Sequence, residues 1–499
     1  VIPLSVAQVA RLTGAALDQV ADAGAVVAGP VVIDSREAVP GSLFAALPGT
    51  RADGHDYAAA AVSGGAVAAL AARPVGVPAL VVPDVLAALS DLARAVVDRV
   101  PGLTVIGITG SAGKTTTKDL TAQLVERLGP AVSPRNSYNN EIGHPLTVLR
   151  VTAQTRYLVA ELSARGHGHI AALCAVSPPR LGVVLCVGRA HAGEFGSLDQ
   201  VARAKGELPA ALPADGVAIL NADDPRVLAM AGRTAARVLT FGRSAGADVR
   251  AADVSLDDCG RPGFRLLTPA GSAPVRLRLF GEHQVPNALA AAAVAGDLGM
   301  PVAEIAEGLS AAVMRSRWRM EVTERPDGVT IINDAYNASP ESVRAALATL
   351  ATMARGRRAF AVLGTMAELG DLTERSHREA GEQAARAGVA GLVAVGENAA
   401  PMLAGARSVA SWRGEPLPVA DGPAAVQVLG ERLRSGDMVL VKASHAIGLE
   451  RVALALTGEL PGDAAADGPV RQDGVSSSTG QNGTTPRQPD PRAGRKASR

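Results

Sequence analysis

Gly110, Ser111, Gly113, Lys114, Thr115 and Thr116 lie in the run TGSAGKTTTKDL, residues 109–120, between the β-branched run LTVIGITG and a helical pattern reaching toward Gly129. Glycines at that spacing let backbone N–H groups face phosphate oxygens at the start of a helix, whose dipole also favours anions. Lys114 would reach the β- and γ-phosphates of a nucleotide, and Thr115 would hold Mg²⁺. The common phosphate loop has a further glycine five residues before Gly113, but here that position is Ile108. The pattern is therefore a shortened G-x-x-G-K-T loop in a strand–loop–helix context, which is the context that gives such a loop its meaning.

A phosphate loop needs a second magnesium ligand at the end of a neighbouring strand. Glu161 closes an apolar run in YLVAELSARGHG and fits that place. His191, in CVGRAHAGEFGS, also follows an apolar run. A lone histidine is more often structural than a ligand, so both readings stay open for it. Lys205 sits in a helical pattern, VARAKGEL, directly before Gly206 and Glu207. It is one of only five lysines (Lys114, Lys118, Lys205, Lys442, Lys496) among 49 basic residues. Where arginine is the default cation, each lysine is a candidate for a job a guanidinium cannot do, with chance survival the alternative for any single one.

The elements that must position these residues are α/β throughout. The chain has 499 residues, enough for about three domains. Residues 1–100 read as a small α/β unit: VVIDSREAVPGSLFAAL gives two short apolar runs around a Pro-Gly turn, HDYAAAAVSGGAVAAL an Ala-rich helix with glycine breakers, and PALVVPD a buried strand. Residues 101–318 alternate strands and helices around the phosphate loop, which predicts a parallel doubly wound sheet with an appended β segment over 232–280. Residues 319–462 form a third, Rossmann-like α/β unit with no G-x-G-x-x-G after its first strand, so no dinucleotide is inferred. Residues 463–499 are rich in Gly, Ser, Gln, Pro and Arg and read as a disordered tail.

Composition narrows the function classes. A net charge of +1 and 2% aromatic residues argue against a nucleic-acid surface. The three cysteines, Cys174, Cys186 and Cys259, have no C-x-x-C spacing and fit a reducing compartment. The longest uncharged apolar stretch, Ala58–Ala72, is too short and too weakly apolar to span a bilayer, and the N-terminus lacks the pattern of a secretory leader. The expectation is a cytoplasmic, monomeric protein without membrane insertion.

Taken together, the motifs resemble the Mur ligase family of peptidoglycan synthesis over residues 2 to about 460. They are DSREAVPGSLFAALPGTRADGHDYAAAA, GITGSAGKTTTK, SYNNEIGHPLTVL, ELSARGHGHI, AHAGEFGS, ARAKGEL, NALAAAA, RWRMEV, NDAYNASPESVRAAL and VKASHAIGLERV. In that family the shortened loop is the normal one. The resemblance implies an ATP-dependent amide ligase acting through an acyl phosphate, with UDP-N-acetylmuramoyl-tripeptide and D-alanyl-D-alanine as the best-fitting substrates. It implies Mg²⁺, as two ions, at Thr115, Glu161 and His191. It implies that Lys205 carries a CO₂-derived carbamate near the second ion. Arg319 matches an arginine near the γ-phosphate. Asn287 and Asn337 match adenine and ribose contacts, with Asp334 and Tyr336 beside them. Ser35, Arg36, Asp53, Gly54 and His55 match the uridine-diphosphate site, and Asn139, Asn140 and Glu141 match the loop near the muramoyl group. Asp, Asn and Ser also favour turns and caps for purely local reasons.

Five positions depart from the family pattern. Cys186, Gln284 and Ser339 stand where asparagine is usual, and Thr365 where an acid is usual. His445 replaces an arginine expected at the peptide or acceptor end, losing a fixed charge and a bidentate fork for carboxylate. That leaves the acceptor open between the dipeptide and a D-alanyl-D-lactate-type depsipeptide. A folylpolyglutamate synthetase-like ligase shares the loop but lacks the N-terminal unit. A GTPase switch would need an N-K-x-D motif, which the sequence lacks.

Overall fold

The computed structural model describes residues 1–49, 52–189 and 195–459. Three large sheets follow one another along the chain, with a small antiparallel pairing of Leu4–Ser5 and Val26–Val27 beside the first. In the first, strands Val31–Val32, Leu43–Ala45, Ala68–Ala71 and Ala79–Val81 run parallel, and Ala16–Asp18 closes one edge antiparallel. The Ala-rich stretch after His55 divides: helix Ala58–Ser63 stops at Gly64, and Ala68–Ala71 is a fully buried strand. Alanine's helix propensity gives way there to the tertiary demand for a small, flat central strand.

The second sheet has nine strands. Ala131–Val132, Tyr157–Glu161, Thr104–Thr109, Leu181–Val184, Val217–Asn221, Arg237–Gly242 and Val249–Leu256 lie side by side, all parallel. Pro262–Thr268 and Gly271–Arg276 continue it as an antiparallel meander, the β segment expected over 232–280. Thr104–Thr109 pairs directly with the strand that ends at Glu161, so the phosphate loop and that carboxylate emerge side by side at the carboxyl edge, where ligands of open α/β sheets bind. Helix Lys114–Val125 follows the loop, and helix Gln284–Asp297 packs against it through a run of buried alanines. Small side chains allow that close approach.

The third sheet orders Glu321–Glu324, Thr330–Asn333, Met438–Lys442, Ala359–Leu363, Gly391–Val395 and Glu415–Val419. Only the first pairing is antiparallel. Glu321–Glu324 and Glu415–Val419 are edge strands too polar or too Pro-rich to stand out in the sequence. No helix among the described residues is long and apolar enough to cross a membrane.

Candidate active site

Gly113 has a left-handed backbone, φ 83°, and a Cβ there would collide with Asn287 Oδ1. Glycine is therefore required twice over. The loop is held to the next strand: Ser111 N–H donates to the Cys186 carbonyl at 2.9 Å, and Gly188 N–H to Ser111 Oγ at 2.8 Å. The Cys186 sulfur accepts from Ala112 N–H at 3.4 Å, so this departure from asparagine still meets the loop. Asn287 donates to Gln284 Oε1 at 2.8 Å and accepts from Thr117 at 3.4 Å. Gln284 thus braces the residue that abuts the loop. Lys114 folds back to donate to the Gly110 carbonyl at 2.9 Å. Burial lowers its pKa, as does the nearby Arg319, while Glu161 opposes the shift.

Thr115 Oγ1 donates to Glu161 Oε2 at 3.0 Å and lies 2.9 Å from Ser137 Oγ. Asn139 donates to the other Glu161 oxygen at 2.7 Å. Arg319, from the far side of the chain, donates to Ser137 at 2.9 Å. The sequence reading missed Ser137; its only signal was its place in SYNNEIG. Asn140 Oδ1 accepts from Gly143 N–H at 2.9 Å, in the turn that leads into helix Gly143–Val148. Glu141 is exposed on the cleft wall. Thr116 is buried in the first turn of the loop helix. Hard oxygen donors of this kind, a hydroxyl beside a carboxylate next to a phosphate loop, suit Mg²⁺. His191 lies outside the described residues.

Lys205 ends helix Leu198–Lys205 and is only 4% exposed. Burial, reinforced by Lys114, lowers its pKa to about 7. No hydrogen-bond partner for its amine is found among the described residues. The neutral form of this amine, which becomes accessible near pH 7, is the species that can take up CO₂.

Arg319 is aimed by strained backbone. Its neighbours Trp318 and Met320 both have positive φ, 59° and 52°, a conformation that costs energy in residues with a Cβ. Hydrogen bonds hold it: Trp318 N–H donates to Glu321 at 3.1 Å, Met320 N–H to Asp334 Oδ1 at 3.1 Å, and Tyr336 N–H to the Trp318 carbonyl at 3.2 Å. The Arg319 guanidinium sits over the Tyr336 ring at 4.3 Å, a cation–π contact. Asn337 is exposed; its carbonyl accepts from Lys442 at 3.0 Å, and Ser339 caps the helix that follows. Lys442, which the sequence marked only by its rarity, is 2% exposed. Thr365 accepts from Asn398 at 3.2 Å.

In the first unit, Ser35 opens a short 3₁₀ turn capped by Asp34, which also binds the Arg36 guanidinium through two nitrogens. Gly54 allows close approach to the Leu47 backbone. His55 is 7% exposed and has both ring nitrogens engaged, Nδ1 with Asp53 at 2.6 Å and Nε2 accepting from Ala72 N–H at 2.9 Å. Asp53 also binds Arg73 at 2.9 Å. His55 and Asp53 therefore brace the wall, while Ser35, Arg36 and Gly54 line it.

All three sheets open onto one cleft of about 2870 Å³, lined by Ser35, Arg36 and Gly54, by Gly113–Thr116, Asn139–Glu141, Glu161 and Asn287, and by Arg319, Asp334, Tyr336, Asn337 and His445. Gly110 and Lys205 do not line it; the Gly110 carbonyl accepts from Lys114, and Lys205 is near enough for the Lys114 charge to lower its pKa.

Comparison with known proteins converges on the same division. Residues 30–105 match the "Mur ligase family, catalytic domain", 108–295 the "Mur ligase middle domain" and 318–445 the "Mur ligase, glutamate ligase domain". The chain is 50% identical to the UDP-N-acetylmuramoyl-tripeptide–D-alanyl-D-alanine ligase of Mycobacterium tuberculosis, over 92% of this chain and 98% of that one. Among solved structures, the UDP-N-acetylmuramoylalanyl-D-glutamyl-2,6-diaminopimelate–D-alanyl-D-alanyl ligase of Acinetobacter baumannii superposes with a TM-score of 0.79 at 30% identity, covering 91% of this chain and 98% of that one. MurF ligase of Thermotoga maritima in complex with ADP gives 0.75 at 30% identity, covering 87% and 98%. Matches to three domain models that together cover most of the chain, and relatives of this identity and coverage, show one thing plainly: the chain belongs to the Mur ligase family.

Proposed function

We propose that this chain is an ATP-dependent ligase that joins D-alanyl-D-alanine to UDP-N-acetylmuramoyl-tripeptide, releasing ADP and phosphate. The observation that carries the reading is the single cleft in which the Ser35–Arg36 wall, the phosphate loop and Arg319 meet. The working units are residues 1–100 for the uridine nucleotide, 101–318 for ATP and 319–462 for closure and the acceptor. Its substrates are made in the cytoplasm, where the protein would work, as a monomer.

The tripeptide carboxylate attacks the γ-phosphorus, ADP leaves, and an acyl phosphate forms. The dipeptide amine then attacks the acyl carbon through a tetrahedral intermediate, and phosphate departs. Loop amides and Lys114 hold the phosphates, and Arg319 meets the charge that builds on the transferring group. Its guanidinium is already fixed by Ser137 and Tyr336, so little reorganisation is needed when charge develops. Thr115 and Glu161 would hold Mg²⁺, which supplies charge neutralisation at the phosphates. Lys205, as a carbamate, would provide an anionic oxygen ligand for a second ion. Asn287 and Asn337 border the nucleoside side, and Asn139–Glu141 the muramoyl side. Closure of the third unit over the cleft excludes water from the acyl phosphate.

The test is phosphate release with Mg-ATP, the UDP-tripeptide and D-alanyl-D-alanine, omitting one component at a time. Release should require all three. Release that ignores the dipeptide would remove the reading.

A further inference from the structure

Strand Met438–Lys442 leads into a 3₁₀ turn at His445–Ile447, then Gly448 with φ 73°, then helix Glu450–Thr457. Glu450 opens that helix and lines the cleft together with His445. It is only 8% exposed, and its Oε2 is shut off from solvent. Among the described residues, no hydrogen bond or ion pair reaches its carboxylate. Arg451, the next residue, also lines the cleft but does not pair with it. Two other side chains, Asp18 and Glu341, bury a carboxylate oxygen without a partner. Asp18 does not line the cleft, and Glu341 is bonded through Oε1 to Arg189 N–H at 2.9 Å. Glu450 alone is a carboxylate of the cleft wall with neither oxygen engaged.

Buried polar groups are almost always hydrogen-bonded, and a buried charge left unpaired is costly. The first turn of a helix favours an anion, which accounts for a carboxylate at this place but gives it no partner. A Cβ on Gly448 would lie 3.9 Å from Glu450 Oε1, so the carboxylate turns back toward the segment that carries His445. The neighbouring wall is apolar. Leu449 and Val452 come from the same stretch, and Pro423 and Val426 from helix Gly422–Gly430. That helix packs so closely that a Cβ on Gly422 would meet Val452 Cγ2 at 3.2 Å. The wall therefore suits a cation carried on a small aliphatic body. Under the ligase reading above, on which this inference rests, the dipeptide is the ligand whose reacting group is an amine, carried as an ammonium in neutral solution. We infer that Glu450 receives the ammonium of the acceptor dipeptide, with the apolar wall beside it taking the methyl group of the first alanyl residue. The ligand supplies the partner that the protein lacks, through a charge-assisted hydrogen bond shielded from water. An acceptor without the amine leaves Glu450 unpaired, and that cost is the source of discrimination.

The experiment compares D-alanyl-D-alanine with propionyl-D-alanine, which carries a hydrogen in place of the ammonium. Phosphate release by the full chain gives KM for the dipeptide and Ki for the analogue as a competitor, in wild type, Glu450→Gln and Glu450→Asp. In wild type, Ki should exceed KM by about tenfold or more. In Glu450→Gln, kcat/KM for the dipeptide should fall about tenfold to a hundredfold. Ki for the analogue should stay within about threefold, and KM for Mg-ATP and for the UDP-tripeptide should not move. Glu450→Asp keeps the charge and should recover part of the loss. The thermal midpoint of Glu450→Gln should hold or rise, since an unpaired buried charge is gone. A parallel loss on dipeptide and analogue, or a raised KM for ATP or the tripeptide instead, overturns the inference. If wild type releases no phosphate with the dipeptide, the ligase reading itself has failed. Calorimetric titration of dipeptide and analogue in the presence of Mg-ADP then still decides the site: a preference for the dipeptide that is lost in Glu450→Gln upholds it, and equal or absent binding sinks it.

Discussion

Lys442 Nζ lies 2.5 Å from Asp334 Oδ2, and the other Asp334 oxygen accepts the N–H of Met320. The buried ammonium thus fixes a carboxylate, and the carboxylate fixes the strained backbone that aims Arg319. Lysine suits this place better than arginine's larger fork, because Nζ, on a side chain only 2% exposed, also donates to the Asn337 carbonyl at 3.0 Å.

Lys442→Met should therefore act through Arg319. Removing one partner of a buried ion pair costs about 3–5 kcal/mol of stability, and thermal unfolding should show it. At a temperature where the variant remains folded, kcat should fall by about tenfold or more while KM for the UDP-tripeptide stays near wild type, because the uridine wall is untouched. A variant of normal kcat would show that Met320 holds its conformation without Asp334.

Lys205 gives a pH-dependent prediction. Its folded pKa, about 7, lies well below the ordinary lysine range because the amine is buried, so the neutral amine becomes the main form as pH rises through 7. Only that form adds CO₂. Activity in CO₂-depleted buffer should fall and be restored by bicarbonate, with restoration weakening below pH 7. Lys205→Ala should lose orders of magnitude in kcat and recover partly with short carboxylic acids. Full activity in that variant would end the carbamate assignment.

The phosphate loop and Glu161 were legible in the sequence because their chemistry is local: a β-branched strand, glycines, a helix, and a second strand ending in an acid. Ser137 was not, because its role arises when Arg319, 182 residues away, folds back onto it. Lys442 gave only the signal of rarity. His55 read as a ligand contact, yet its ring is spent on Asp53 and Ala72, since a histidine in a turn satisfies the backbone first. The strand at Ala68–Ala71 was hidden by alanine's helical preference, which burial overrides.

The cysteines should differ sharply toward a maleimide at neutral pH. Cys259 is exposed. Cys174 is buried and pushed up to about 12, and burial also raises Cys186, whose sulfur is hydrogen-bonded at the phosphate loop. Since the thiolate is the reactive form, mass spectrometry should find one label, at Cys259, with phosphate release unchanged. Labelling of Cys186 as fast as Cys259 would mean that the loop opens readily.

His445 stacks on Tyr336, ring centroids 5.2 Å apart and planes 11° apart, and lies 5.9 Å from the Trp318 ring. Tyr336 also carries Arg319, so His445, proposed at the acceptor end, touches the platform of the arginine proposed for the γ-phosphate. Aromatic pairs of this kind contribute about 0.5–1.5 kcal/mol beyond area. His445→Ala should therefore lower kcat/KM for D-alanyl-D-alanine by about three- to tenfold, with KM for ATP unchanged because the loop is intact. His445→Arg restores a fixed cation where a carboxylate would be received, and should lower KM for the dipeptide. Measuring both variants with D-alanyl-D-alanine and D-alanyl-D-lactate separates two roles. A parallel loss on both acceptors in His445→Ala marks a residue that steadies Tyr336. A change in their ratio marks one that reads the acceptor. An unchanged kcat/KM on both would show that the stack carries nothing to the reaction.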